Sequence, residues 1–179
     1  MYEELKKRAY SLLEDYDKSR RKRIEKLVSI CMKIGKTQNV NLDLLEISAI
    51  LHDVDRTREK HHNIKDSADT AEKFLVQNWM EGKDAKKVRE IILCQCWENM
   101  SENSSPSLES KIFFDAKTIL MMEDMALNTS EDTNMKKSIK SLLRDYNKMF
   151  FESSRKMAKK DYETLNEFLE SFEEYFSQI

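Results

Sequence analysis

The stretch that most constrains the fold of this chain is Leu44–Asp53, LLEISAILHD. Leu44, Leu45, Ile47, Ala49, Ile50 and Leu51 are too continuous for a helix with a solvated back, so a helix here must be wrapped on several sides by other elements. The run ends in an adjacent His52–Asp53 pair. A neutral imidazole beside a carboxylate, at the last turn of a buried helix, projects into a pocket from a rigid support. Both side chains are metal-competent.

The wrapping elements are helices. Two Gly and one Pro in 179 residues are far fewer than sandwiches, barrels or doubly wound sheets use, whereas helix bundles need little of either. Charged residues make up 36% of the chain and nearly cancel, at a net charge of -2. That pattern describes long helices with mixed-sign solvated faces, and it gives no basic excess that would favour nucleic acid. Apolar residues at 40% can fill the core of one domain of ordinary size. The longest apolar runs fall far short of a membrane span, and the opening MYEELKKRAY is too polar for a signal peptide. Three cysteines, with Cys94 and Cys96 too close for an easy bridge, fit a reducing cytosol. The expectation is an all-α, cytoplasmic, single domain over residues 1–179, with a core at about 17–125 and C-terminal helices at about 135–177.

Periodicity predicts a first amphipathic helix from residue 2 to about 15. A second is capped by Asp15 or Asp17, buries Ile24, Leu27, Val28, Cys31 and Ile34, and ends near Gly35. Its opening, DKSRRKR, is basic. Positive charge there opposes the helix dipole, so an acid or a bound anion should lie nearby. Asn41 caps the central helix. Residues 54–63, VDRTREKHHN, read as a loop, and a fourth helix carries Ser67 to Trp79. A fifth starts at Asp84. Residues 99–107 form the clearest loop, and the sixth helix, from Leu108, sets Asp115 among apolar neighbours. A second loop follows at 123–134, then long helices at roughly 135–157 and 160–177, giving about seven to eight helices in all.

All three histidines lie between residues 52 and 62. Histidine and carboxylate together suit manganese, iron, magnesium or zinc, and Asp115 could add a ligand from a separate helix. Cys94, Cys96, Trp79 and Trp97 read as packing residues.

Taken together, ISAILHDVDR, HHNIKDSADTAEKFL and LESKIFFDAKTIL resemble the core of the HD-domain superfamily of metal-dependent phosphohydrolases. The resemblance runs from about residue 17 onward. It implies a single-domain helical bundle that binds a divalent ion (Mn, Fe, Ni, Mg or Zn) and hydrolyses a nucleotide or another small phosphate ester. His52, Asp53 and Asp115 match its metal-binding positions, with His52 and Asp53 at the catalytic centre. His61 or His62 matches a histidine that in some relatives serves a second metal or the phosphate, and Arg56, Arg58 or Lys60 would meet that phosphate.

Three positions depart from the family pattern. Arg20 stands where the first histidine ligand belongs, Gln95 where another histidine is common, and Lys117 where a further aspartate is common. A guanidinium cannot ligate a metal. If Arg20 points inward it pairs with Asp53 or Asp115, and the site is then a salt bridge in a catalytically degenerate module that binds a nucleotide or a protein partner. Both readings stand on the sequence. Neither involves a membrane, and pairing of two copies through the amphipathic C-terminal helices stays open beside their packing on the core.

Overall fold

The computed structural model describes residues 2–54, 63–102, 105–129 and 133–177. Among the described residues every regular element is helical. They are α1 (Tyr2–Ser11), a 3-10 turn (Leu12–Asp15), α2 (Lys18–Gly35), α3 (Leu42–Leu51), α4 (Ile64–Gln77), α5 (Gly82–Leu93), α6 (Trp97–Glu102), α7 (Leu108–Leu127), α8 (Thr133–Asn147) and α9 (Glu152–Ser177). Two compact units divide the chain, Met1–Phe114 and Asp115–Ile179, with the boundary inside α7.

In the first unit α3 is the centre. Seven of its ten residues are buried, Leu44, Leu45, Ile47, Ser48, Ala49, Ile50 and Leu51, and α1, α2, α4 and α5 all pack against it. Its start is fixed locally. The Asn41 side chain accepts from the N–H groups of Asp43 at 3.1 Å and Leu44 at 3.2 Å, the usual satisfaction of a helix's first donors. The Asn41 N–H is taken in turn by Glu109 Oε1 at 2.9 Å. The helix before it comes unusually close, because a Cβ at Gly35 would lie 2.8 Å from Leu42 Cδ2. Polar ties hold α1 on the outside: Lys6 Nζ reaches Asp43 at 2.9 Å and Glu46 at 3.1 Å, and the Tyr2 hydroxyl donates to Asp84 at 2.7 Å.

Several boundaries differ from the periodicity. The first helix stops at Ser11 and tightens into the 3-10 turn. Helix α6 occupies the first part of the expected loop at 99–107, and α7 runs on to Leu127. Trp79, expected as a packing residue of the fourth helix, stands beyond its end and is 76% exposed. The Met80 N–H bonds back to the Leu75 carbonyl at 3.0 Å and the Trp79 N–H to Val76 at 3.1 Å. This is the closure that normally places glycine at the left-handed position. Here Trp79 takes it, with φ 66°, and buried Leu75 and Met80 supply the apolar contact that favours the closure.

In the second unit α8 and α9 pack together, with the Tyr146 and Tyr162 rings stacked at 4.2 Å. The break between them lies at residues 148–151, not near residue 158. Nothing local at Phe150 or Phe151 can cap a helix. The acceptor is Asp115, whose Oδ1 takes the Phe150 N–H and Oδ2 the Phe151 N–H, each at 3.0 Å.

Because α3 is largely buried and packs against four other helices, truncating it should be felt throughout the first unit. Leu45 is fully buried, and Leu45→Ala is expected to lower the unfolding free energy by about 2–5 kcal/mol, measured by urea denaturation. An Asn41→Ala variant, which loses the cap, is expected to cost about 1 kcal/mol.

Candidate functional site

His52 and Asp53 close the C-terminal end of α3, and each is only 6% exposed. The His52 ring turns back on its own helix, with Nδ1 2.9 Å from the Ala49 carbonyl oxygen. A carbonyl only accepts, so Nδ1 carries the hydrogen, and in the neutral ring the lone pair belongs to Nε2. Phe113 meets the imidazole edge-on, with ring centroids 6.1 Å apart.

Asp53 faces Arg20. The guanidinium places Nε 3.4 Å from Asp53 Oδ2 and donates through Nη2 to the Asp53 backbone carbonyl. It lies 3.7 Å from the centre of the Tyr16 ring, a distance at which the ring's negative face attracts a cation. The Tyr16 hydroxyl donates to the next carbonyl, Val54, at 3.4 Å. Two side chains from the entry of α2 therefore hold two successive carbonyls at the exit of α3. Asp17 sets up this geometry, since its carboxylate caps α2 by accepting from the Ser19 N–H at 2.9 Å and the Arg20 N–H at 3.0 Å. The basic opening of α2 calls for an acid or an anion nearby, and two acids are present, Asp17 at the backbone and Asp53 at the side chain.

Asp115 is fully buried and commits both carboxylate oxygens to the start of α9. Burial pushes its carboxyl from the ordinary 3.8 up to about 6. This outweighs the Phe150 and Phe151 N–H groups, the Ser154 hydroxyl and the charge of Arg155, all of which favour the ionised form. Gln95 is buried just after α5, and its Nε2 has no acceptor among the described residues. Lys117 is half-buried on α7. His61, His62, Arg56, Arg58 and Lys60 lie outside the described residues. Cys94 packs with Met100, Phe114 and Trp97 in an apolar cluster, which is a core role. Tyr16 is the participant that helical periodicity misses, because it sits ahead of α2 in extended backbone where that pattern does not apply.

A family model of the HD domain matches residues 23–122, more than half of the chain. The chain belongs to the HD domain family. Solved structures share its fold along nearly the whole length. The Lin1889 protein of Listeria innocua is 16% identical with a TM-score of 0.67, covering 100% of this chain and 99% of that one. An HD-superfamily hydrolase from Bacillus thuringiensis is 18% identical with a TM-score of 0.66, covering 99% of each. Bacillus subtilis YpgQ, solved in complex with ADP, is 19% identical with a TM-score of 0.64, covering 97% of this chain and 93% of that one. Among curated proteins none matches.

HD domains generally bind divalent metals, and the residues of this chain fit such an ion poorly. His52 has the geometry of a ligand, since its Nδ1–H is held by a carbonyl in the way that orients metal-bound imidazoles. Asp53, however, faces a guanidinium that stays protonated and would repel a cation. Both oxygens of Asp115 already accept backbone N–H groups. Among the described residues no group of three or more His, Cys, Asp or Glu side chains could hold a metal.

The Asp115 carboxyl titrates higher in the folded chain than its ordinary value, so its contribution to stability is fully present below pH 3.8 and is lost as pH rises through about 6. The melting temperature of the unmodified protein minus that of Asp115→Asn is therefore expected to fall between pH 4 and pH 7, followed by circular dichroism. A difference that rises over that range would contradict the assignment.

Proposed function

We propose that this chain binds a nucleotide or another small phosphate ester, as an HD-superfamily protein whose centre does not rest on the family's divalent ion. The observation that carries this reading is the Arg20–Asp53 pair. The guanidinium meets both the carboxylate and the backbone carbonyl of Asp53, so the charge that a metal would neutralise is already neutralised from within. The likeness to YpgQ, solved with ADP, supports the class of ligand. The amphipathic faces of α8 and α9 leave self-association as a separate question, answered by the chain's mass in solution.

A second reading is favoured by one observation. The Nδ1 tether of His52 to Ala49 leaves the ring in the tautomer that a metal ligand needs. On that reading the chain is a metal-dependent phosphohydrolase. His52, Asp53 and Asp115 would hold the ion, which polarises a phosphoryl oxygen and activates water when bound, and His61 or His62 with Arg56, Arg58 or Lys60 would meet the phosphate.

Metal analysis and a phosphatase panel separate the two. After dialysis against Mn²⁺, Ni²⁺ or Mg²⁺, the protein is expected to retain only substoichiometric metal, to leave a panel of nucleotides and phosphate monoesters intact, and to bind one of those nucleotides in EDTA. A stoichiometric metal together with turnover that disappears in Asp53→Ala would establish the hydrolase and sink the first reading.

A further inference from the structure

The opening of α2 concentrates positive charge. Five of the six residues from Lys18 to Arg23 are cationic, the first turn holds no acid, and the whole run sits at the positive end of the helix dipole. Asp17 and Asp53 answer part of that charge. Arg21 is spent on the carbonyls of Leu13 at 3.2 Å and Glu14 at 3.1 Å, tying the 3-10 turn to the helix. Arg20 is used differently.

A guanidinium carries five N–H donors in a rigid fork. One of them, on Nη2, bonds the Asp53 carbonyl. Nε is buried and has no hydrogen-bond acceptor among the described residues, although Asp53 Oδ2 lies 3.4 Å away as an ion-pair partner. A buried donor left without an acceptor costs free energy. That donor faces Asp53, and the rest of the fork matches an oxygen of a phosphoryl group in geometry and charge, as it matches a carboxylate. The Tyr16 ring, the Asp53 carboxylate and the Asp53 carbonyl together restrain the guanidinium, so the fork is pre-positioned before any ligand arrives, and little rotamer entropy is then lost on binding.

We propose that Arg20 is the phosphate-binding cation of this protein, held against the Tyr16 ring and beside Asp53, and that it takes a phosphoryl oxygen of the bound ester. The proposal rests on the phosphate-ester reading given above and names the side chain that carries it. Asp53 has a defined part. Its carboxylate holds Arg20 in place without ligand and competes with an incoming anion, so removing its charge should improve anion binding. A purely structural ion pair would give no such gain.

The test is isothermal titration of ADP, inorganic pyrophosphate and adenosine into the full chain in EDTA, with thermal unfolding of each variant alongside. The unmodified protein is expected to bind ADP and pyrophosphate and to ignore adenosine. Arg20→Gln is expected to weaken ADP binding about tenfold or more, with Arg20→Lys intermediate because it keeps the charge and loses the fork. Asp53→Asn is expected to tighten ADP binding by about threefold or more. A folded Arg20→Gln that binds ADP as well as the parent overturns the proposal and leaves the binding reading intact. Adenosine bound as tightly as ADP does the same. If Arg20→Gln fails to fold, Asp53→Asn decides: tighter binding supports the proposal, and unchanged or weaker binding overturns it. An unmodified protein that binds neither ADP nor pyrophosphate overturns both the proposal and the reading beneath it.

Discussion

A carboxylate at the buried end of a helix packed against four others has to be neutralised where it stands, because the helix cannot move it back to water and an unpaired buried charge is costly. Asp53 is that carboxylate. Helix α3 is wrapped by four other helices, so its last turn is fixed, and the partner must come to it. Arg20 arrives from the third residue of α2 and brings Tyr16 with it. The position of the α2 entry, the tolerance of so basic a helix start and the ties to the Asp53 and Val54 carbonyls all serve this one requirement.

A buried anion of this kind can be met by a metal ion shared among several ligands or by a single protonated side chain. The two solutions impose different geometry. A metal needs lone pairs converging on one point from several elements. A guanidinium needs acceptors spread around a plane, and one carboxylate with one carbonyl already satisfies part of it. The arrangement around Asp53 has the second form. His52 is compatible with either, since a carbonyl three residues back both orients a ligating imidazole and satisfies a ring nitrogen that is simply buried.

What could be read from the chain alone depended on how local its cause was. The burial of α3 follows from an unbroken apolar run, and the caps at Asn41 and Asp17 follow from side chains lying beside the backbone groups that they satisfy. The His52–Asp53 doublet and the anomalous Arg20 were equally visible, as residue types at a helix end and a helix start. Other features have distant or competing causes. The start of α9 is not legible locally because its acceptor, Asp115, belongs to a helix far back in the chain, and Phe150 and Phe151 give no hint of it. The place of Trp79 is hidden because burial of Leu75 and Met80 closes the end of α4 without the glycine that usually marks such a turn. Tyr16 carries no periodic signal because it lies between two helices and belongs to neither period.

The dependence of α9 on Asp115 bears on the order in which the C-terminal part can be made. The acceptor leaves the ribosome well before the donors at Phe150 and Phe151, so α7 is on hand when the last long helix begins to form. Nucleating a helix is its least favourable step, and here a side chain already synthesised fixes the first turn of the final element. A rearranged gene that placed α9 ahead of α7 would keep every residue and yet leave that helix to find its own beginning.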